Sequence, residues 1–574
     1  MLMVTIVLAS TYAKHLEWWK TTVFYQVYPR SFKDSDGDGI GDVKGITSKL
    51  DHFVDIGIGG VWLSPVYRSP MKDFGYDISN FTDIDPVFGT MEDFDELIAE
   101  IHAKGLKLVM DMVPNHSSDE HEWFIKSVAR EQPYTDYYTW VNATEFNSST
   151  GEPLPPNNWL SVFGGSAWTW SEARQQFFLH QFHEGQPDLN FRNPAVLQEI
   201  KNVMIFWLDK GVDGFRMDAV PHLMEDQTFP DEPPSNDTNY TSDQYGYLKH
   251  KFTKDLPELY NVIIELRATL DTKQAEFGRP LVMMAEAYTD IAHTMMYYGN
   301  ETHPGAHFPF NFQLISYVTN DTRAQEMFDI INSWMDNVPS GAWSNWVIGN
   351  HDQPRIASRF GRDFSMALQM MSLLMPGTAV TYNGEEINME NTAISWKNTQ
   401  DPQGCQAGRE HYEKLSRDPE RSPYQWSAKF QAGFTTGNNT WLPLNSNYVT
   451  LNLEAQKIAH CSPLKTYKKL LEARKMASVR TGNFVKGIIN SNVFAFLREL
   501  SGQTSFLVAI NLGTQIETVV VRSLSKNIPD VITVYATVPD DHENNNGQLY
   551  NAVISSSKVV IPPRSGIVLH YPRA

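Results

Sequence analysis

Apolar side chains recur at helical spacing in several segments, and each segment leads through glycine into a short apolar run. From Asn193 and Pro194, apolar residues fall at positions 196, 197, 200, 203, 204, 207 and 208, and Gly211 precedes "GFRMD". Asparagine and proline favour a helix start, and this spacing lines one helix face with apolar side chains. The segments 43–56 and 91–104 repeat the pattern. Helices alternating with apolar strands predict parallel strands joined by crossover helices.

Eight short apolar runs share one form, in which polar residues follow directly after the run. They are "VFYQVYPR" (23–30), "VWLSPVY" (61–67), "LKLVMDMVPNH" (106–116), "GFRMD" (214–218), "LVMMAEAY" (281–288), "FPFNF" (308–312), "NWVIGNHD" (345–352) and "TAVTYNGEE" (378–386). Eight parallel strands with helices between them predict an α/β fold, a (β/α)8 TIM barrel. A doubly wound sheet is the weaker alternative, because no glycine-rich phosphate loop follows the first strand.

The helical pattern stops in two places. Residues 117–185 are rich in Pro, Gly, Asn and Trp and predict a subdomain inserted after the third strand. From residue 479 to 574 the pattern becomes one of alternating β runs, such as "SFLVAINL" and "VITVYATV", which predicts an antiparallel C-terminal β-sandwich. The barrel itself is expected over 20–116 and 186–478.

Composition narrows the classes of partner. The chain has 574 residues, 41% of them hydrophobic, and a formal net charge of −20. Such a charge repels a nucleic-acid backbone or an anionic membrane surface and is compatible with a neutral substrate.

Several features indicate export from the cell. Residues 1–13, "MLMVTIVLASTYA", form a short apolar run ending in small residues, as a secretory signal peptide does, and the run is too short to span a bilayer. Cys405 and Cys461 allow one disulfide at most. Asn-x-Ser/Thr sequons, the acceptors of N-linked glycans, begin at Asn80, Asn142, Asn147, Asn236, Asn239, Asn300, Asn320 and Asn438. Asn115 fits the same pattern but is expected in a buried site.

Acidic residues end three of the predicted strands. Arg216 and Asp218 are two residues apart, so both side chains face the same way at the end of the fourth strand. The guanidinium is expected to lower the pKa of Asp218 and keep it ionised as a nucleophile. Glu286 is flanked by alanine and methionine, an apolar setting that would raise its pKa and suit a general acid. Asp352 ends the seventh strand, and three such carboxylates suit two-step glycoside cleavage.

Six motifs make the resemblance specific. "DMVPNH" (111–116), "QPDLN" (186–190), "GFRMD" (214–218), "MAEAY" (284–288), "VIGNHD" (347–352) and "PGTAVTYNGEE" (376–386) occur in the order and approximate spacing of glycoside hydrolase family 13. The chain resembles the oligo-1,6-glucosidase and insect maltase branch of this α-amylase family from about residue 20 onward. "QPDLN" and "SRDPERSPYQW" (416–426) favour α-glucosidases over amylases.

The resemblance implies a role for each matched residue. Asp218 would be the nucleophile, Glu286 the acid and then the base, and Asp352 would hold the sugar's 2- and 3-hydroxyls. The sugar would be surrounded or capped by Asp73, Tyr76, His116, Phe163, Arg216, His351 and Arg421, with Asp73, Tyr76 and Arg421 closing the pocket over the non-reducing end.

The implied activity is that of a retaining, exo-acting α-glucosidase on maltose, sucrose and maltooligosaccharides, with no catalytic cofactor. In this family the residue after the nucleophile correlates with the linkage that is cleaved: valine accompanies α-1,6 specificity and smaller side chains accompany α-1,4. Ala219 therefore favours α-1,4 linkages. Oligo-1,6-glucosidase and transglucosylase activities on the same site stay open.

The loop "DSDGDGIGD" (34–42) presents Asp34, Asp36, Asp38, the Ile40 carbonyl and Asp42 at alternating positions. Oxygen ligands in that spacing wrap a calcium ion, although the glutamate that would complete an EF-hand is absent. The resemblance favours a structural Ca²⁺ here, and an acidic turn without a cation is the alternative.

Two other functions compete. "GNHD" is also a metal-ligand signature of metallophosphoesterases, but the Asp-x-His that should end their first strand lies here in the loop after the third. Transporter heavy chains on this scaffold are non-enzymatic and carry a membrane-spanning helix but lack the catalytic carboxylates. Because this chain keeps all three acids, the sequence favours a hydrolase.

Overall fold

The computed structural model of the protein describes residues 16–539 and 550–573. The expected signal peptide at 1–13 lies outside the described residues. Within them, no helix is both long enough and apolar enough to cross a membrane.

Eight parallel strands form the central sheet, each within a run that the sequence predicts. They are β1 (Val23–Val27), β2 (Gly60–Leu63), β3 (Lys107–Met112), β4 (Gly214–Met217), β5 (Val282–Ala285), β6 (Phe308–Pro309), β7 (Asn345–Val347) and β8 (Thr378–Tyr382). They pair in the order β6-β5-β4-β3-β2-β1-β8-β7. The TIM-barrel prediction is confirmed.

Side chains close the barrel between β6 and β7. Asn345 Oδ1 accepts a hydrogen bond from the Asn311 amide at 2.8 Å, and Asn345 Nδ2 donates to the Pro309 carbonyl at 2.7 Å. Asn311 Nδ2 donates to the Asn345 carbonyl at 3.1 Å. These amides satisfy backbone groups that a regular strand ladder would otherwise pair.

Helices cover the outside of the barrel. Those between successive strands are Val43–Thr47, Leu50–Ile56, Met91–Ala103, Pro194–Asp209, Leu259–Phe277, Ile291–Met296, Gln313–Tyr317, Ala324–Met335, Ile356–Phe360 and Arg362–Leu374. After β8 come Pro402–Ala407, Tyr412–Leu415, Leu453–Ile458, Pro463–Arg474 and Ala477–Thr481, and Trp18–Thr21 precedes β1.

The helix Pro194–Asp209 shows why these segments fold as predicted. Asn193 caps it by accepting a hydrogen bond from the Ala195 amide at 3.0 Å. Its apolar stripe, which includes Ile200 and Trp207, is buried. The Trp207 indole also donates to a backbone carbonyl at 2.8 Å, so its polar nitrogen is satisfied inside the core.

The insertion after β3 contains the helix Glu122–Val128 and a three-stranded antiparallel sheet of Trp140–Val141, Gln176–Leu179 and Trp168–Ser171. Trp168 is buried and stacks on Trp159 with ring centroids 5.7 Å apart. This tryptophan therefore belongs to the subdomain core.

The C-terminal domain is antiparallel, as predicted. Its strands are β9 (Asn483–Ile488), β10 (Val493–Glu499), β11 (Thr504–Asn511), β12 (Glu517–Val519), β13 (Val531–Thr537), β14 (Val553–Ser555), β15 (Val559–Ile561) and β16 (Ser565–Pro572). Six pair in the order β9-β10-β11-β16-β13-β14, and β12 pairs with β15. Apolar side chains from both sheets share one buried core.

Candidate active site

A cavity of about 290 Å³ opens at the carboxyl ends of the barrel strands. Eight of the predicted site residues line it: Asp73, Tyr76, His116, Phe163, Asp218, Glu286, His351 and Asp352. They come from strand ends and loops that are far apart in the chain, and the barrel brings them together. Arg216 and Arg421 lie behind this lining.

Arg216 joins three strand ends through one guanidinium. Its Nη1 donates to Asp218 Oδ1 and, at 2.7 Å, to Asp111 Oδ1, while Nη2 lies 2.8 Å from Glu286 Oε1. The side chain is almost wholly buried, and its guanidinium carbon lies 5.4 Å from the centre of the Trp62 ring. Because Asp111 is in β3 and Asp218 and Glu286 follow β4 and β5, Arg216 fixes the relative positions of these acids.

The direction of the Asp218 pKa shift differs from the sequence-based expectation. Burial raises the pKa of Asp218 well above its ordinary value; Arg216 opposes this, and Glu286 and Asp111 add to it. Burial also raises the pKa of Asp111 to about 7. Sequence reasoning considered only the arginine and missed Asp111. Three carboxyls around one guanidinium carry excess negative charge, which favours keeping a proton within the cluster.

The surroundings of Glu286 also differ from the expected apolar setting. Ala285 and Ala287 are buried beside it, but its carboxyl group faces two donors. Oε1 contacts Arg216, and Oε2 accepts a hydrogen bond from the Ala219 amide at 3.0 Å. A polar contact on each oxygen therefore orients the group.

His351 forms one wall with Tyr76. The two rings stack with centroids 5.5 Å apart and an angle of 7° between their planes. Gln26 Nε2 donates to His351 Nδ1 at 2.8 Å, which leaves the proton of the neutral ring on Nε2. Nε2 lies 2.7 Å from the Tyr76 hydroxyl and 3.3 Å from Asp352 Oδ2. Burial holds the pKa of His351 well below its usual range, so the ring is neutral.

Asp352 is held as an anion. Its Oδ1 accepts hydrogen bonds from Arg421 Nη2 at 2.7 Å and Arg417 Nη1 at 3.2 Å. Burial disfavours the charged carboxylate, but the charges of Arg421 and Arg417 outweigh burial and hold the pKa of Asp352 well below its ordinary value. Asp352 and Asp218 thus face one cavity with opposite pKa shifts.

Arg417, which sequence reasoning missed, occupies the end of the cavity that was assigned to Arg421. Its Nη2 donates to Asp73 Oδ1 at 2.9 Å and to Asp401 Oδ1 at 2.6 Å, and its guanidinium lies 5.1 Å from the centre of the Phe163 ring. Arg421 is fully buried behind Asp352 and donates to the His351 carbonyl at 2.8 Å. Both arginines lie in "SRDPERSPYQW", an irregular segment without periodicity, so sequence could not distinguish them.

His116 lies next to Tyr76 in the cavity wall. Its Nε2 is 3.2 Å from both the Tyr76 carbonyl and Gln186 Nε2. Burial lowers the pKa of His116 to about 3, so the ring is neutral. The neighbouring Asn115 is buried as expected, with no room for a glycan. The rest of the lining consists of Val162, Phe182, Ala219, Pro221, His222, Tyr245, Lys254, Tyr288, Gln353, Gln403 and Arg417.

Comparison with known proteins agrees with this geometry. The family model described as "Alpha amylase, catalytic domain" matches residues 26–482. The chain belongs to the alpha-amylase family.

Named relatives and a solved structure match most of the chain. Maltase 1 of Drosophila virilis is 47% identical over 97% of this chain and 87% of that protein. The salivary alpha-glucosidase of Anopheles gambiae is 47% identical over 89% and 86%. A mouse protein named amino acid transporter heavy chain SLC3A1 is 40% identical over 99% and 80%. The crystal structure of an alpha-glucosyl transfer enzyme superposes with a TM-score of 0.83 at 31% identity, covering 97% of this chain and 99% of that one.

The acidic loop of this alpha-amylase-family chain partly gathers the predicted calcium ligands. Asp34, Asp36 and Asp42 have carboxylate oxygens that all lie within 4.8 Å of one another. Asp38 is outside this group, and its Oδ1 accepts a hydrogen bond from the Ile40 amide at 2.7 Å. Three clustered carboxylates fit a hard cation such as Ca²⁺, whose ligands are oxygens.

Most of the predicted glycosylation sites are accessible to solvent. Six of the predicted sequon asparagines are exposed: Asn142, Asn236, Asn239, Asn300, Asn320 and Asn438. Asn80 and Asn147 are half-buried. Cys405 and Cys461 are both free thiols.

Proposed function

We propose that the protein is a retaining, exo-acting α-glucosidase of the maltase type. The observation that carries the proposal is the Arg216 guanidinium, which holds Asp218 and Glu286 side by side at the ends of β4 and β5. In retaining glycosidases the two carboxyls are about 5 Å apart and act on the same anomeric carbon. Family relatives named as maltase and alpha-glucosidase support the same activity.

The chemistry proceeds in two displacements. Arg216 occupies Asp218 Oδ1, so Oδ2 is the oxygen free to attack the anomeric carbon. The glycosidic bond breaks as the Asp218–glucose bond forms, and Glu286 gives its proton to the leaving oxygen. Water then attacks the anomeric carbon and gives a proton to Glu286, which releases α-glucose and restores the Asp218 carboxylate.

The neighbouring charges support binding of a single terminal glucose. Asp352 stays ionised, so it can accept hydrogen bonds from two sugar hydroxyls. The Asp73–Arg417 ion pair closes the inner end of the cavity, while Tyr76 and Phe163 offer ring faces. A longer chain therefore enters only by its non-reducing end, which makes the enzyme exo-acting.

Linkage preference follows from the small Ala219 side chain. It lines the cavity next to Asp218 and leaves room for the second sugar of an α-1,4 glucoside. By the family pattern, maltose, sucrose and maltooligosaccharides are the proposed substrates.

We also propose a secreted, N-glycosylated protein that holds a structural calcium. Salivary relatives and the exposed sequon asparagines support export and glycosylation. Asp34, Asp36 and Asp42 would hold the ion, and Asp38 and the Ile40 carbonyl are the further proposed ligands. The calcium would stabilise the loop and take no part in catalysis.

The test is glucose release from maltose, sucrose, isomaltose and trehalose by the wild type, Asp218→Asn and the surface control Asp237→Asn. We expect activity on maltose and sucrose, its loss by a factor of at least about 1,000 in Asp218→Asn, and no change in the control. The first product seen by NMR should be the α-anomer. Full activity in Asp218→Asn, or β-glucose as the first product, would contradict the mechanism.

A further inference from the structure

A second cavity, of about 360 Å³, lies at the opposite end of the barrel from the active site. Val23 and Lys107, the first residues of β1 and β3, line it together with the residues before β2. The active-site acids follow the other ends of the strands, and a five-residue strand is roughly 16 Å long. A ligand in this cavity would therefore not touch the catalytic groups.

The cavity is strongly basic. Five cationic side chains line it: Lys104, Lys107, Arg474, Lys475 and Arg480. In the described part of the chain, no acidic side chain lines it. In a protein with a net charge of −20, five cations around one cavity make a local positive field that attracts anions.

Only some of these cations are neutralised by the protein. Lys104 pairs with Asp51 at 2.6 Å, and Lys107 lies 3.3 Å from Asp213. Lys475 and Arg480 are exposed, and among residues 16–539 and 550–573 neither has a carboxylate at ion-pair distance. A Cβ placed on Gly57, which lines the cavity, would lie 3.6 Å from Lys475 Nζ, so this ammonium lies at the cavity wall.

Arg474 adds a buried positive charge. It is 6% exposed, and its Nη1 donates to the Leu373 carbonyl at 2.7 Å, while its Nε has no partner within the described residues. No carboxylate there pairs with it. Burial, together with the nearby charge of Arg480, lowers the pKa of Arg474 to about 10. A buried charge without a counter-charge is unfavourable, and a bound anion nearby would offset that cost.

We propose that this cavity binds a soluble phosphate or phosphate monoester. Lys475 and Arg480 would donate hydrogen bonds to its oxygens, and Arg474 and Lys107 would add charge from behind. The volume is in the range of small-molecule sites. A ligand that binds only the folded state stabilises that state, so phosphate would raise the stability of the protein. Because the cavity is remote from the catalytic groups, turnover would not change.

The experiment titrates the full-length protein with inorganic phosphate and with glucose 6-phosphate at constant ionic strength, using calorimetry and thermal unfolding. The test variant is Lys475→Gln/Arg480→Gln, and the matched control, Lys429→Gln/Arg522→Gln, removes two surface cations elsewhere. Both substituted cations in the test variant are exposed, so the fold should survive, and the kcat on maltose reports whether it does.

We expect saturable binding and a rise in Tm for the wild type and the control, and loss of both in the test variant. Saturation by phosphate alone would identify the free ion as the ligand, and tighter binding of glucose 6-phosphate would identify the ester. An equal rise in Tm for all three proteins would reflect general salt stabilisation and overturn the proposal. A calorimetric titration of the wild type that shows no saturable binding would also overturn the proposal.

Discussion

The backbone amide of Ala219 donates a hydrogen bond to Glu286 Oε2 at 3.0 Å. Ala219 has φ +48° and ψ +31°, the left-handed conformation, and at this residue the chain leaves β4 and enters the short 3-10 helix Val220–His222. Ala219, the residue after the proposed nucleophile, thereby orients Glu286, the proposed acid. Strained backbone conformations of this kind occur at functional sites.

Ala219→Val should lower kcat on maltose about tenfold, since a β-branched residue at positive φ costs about 1–2 kcal/mol and displaces the amide. Ala219→Gly keeps the amide and relieves the conformation, so it serves as the control with kcat near that of the wild type. Steady-state kinetics on maltose and isomaltose measure both effects. Wild-type kcat in the valine variant would show that the amide is dispensable.

Arg417→Ala should reduce kcat/KM for maltose by about 10- to 100-fold, because the charge-assisted contacts with Asp73 and Asp352 together stabilise the bound state by about 1.5–3 kcal/mol. Opening this end should also increase the relative rate on longer maltooligosaccharides. Arg409→Ala removes an exposed arginine that lies earlier in the chain and is the control. If both variants behave alike, Arg417 does not close the cavity.

Asp111→Asn should move the acidic limb of the kcat/KM profile to lower pH. Activity requires ionised Asp218, whose pKa is raised by burial and further by the charges of Glu286 and Asp111. Removing one of these charges lowers that pKa, so Asp218 stays ionised in more acidic solution. Asp83→Asn at the surface should leave the profile unchanged. A shift to higher pH would mean that Asp111 acts mainly by anchoring Arg216.

Asn345→Ala should lower the free energy of unfolding by about 3 kcal/mol. The substitution leaves the Asn311 amide and the Pro309 carbonyl buried without partners at the β6–β7 junction. Denaturant unfolding of this variant and of the exposed control Asn337→Ala measures the difference. Equal stability of the two variants would show that the junction closes without the side-chain amides.

Much of the fold could be predicted because its pattern is local. Helix caps such as Asn193 and the two-residue spacing of Arg216 and Asp218 depend only on near neighbours in the chain. The same spacing placed both side chains at one strand end. Strand ends of a parallel barrel meet at one face, so the sequence also predicted that Glu286 and Asp352 lie near Asp218.

Local patterns along the chain predicted the eight strands, their order and the acids that end three of them, because periodicity and chain direction are properties of the chain. Three-dimensional packing placed Arg417 rather than Arg421 in the cavity wall and brought Asp111 to the Arg216 guanidinium. It also decided the direction of the Asp218 pKa shift. Those outcomes depend on burial and on charges from distant segments of the chain. In a dry interior, the interaction energy of two charges depends strongly on the distance between them, and a local sequence pattern does not give that distance.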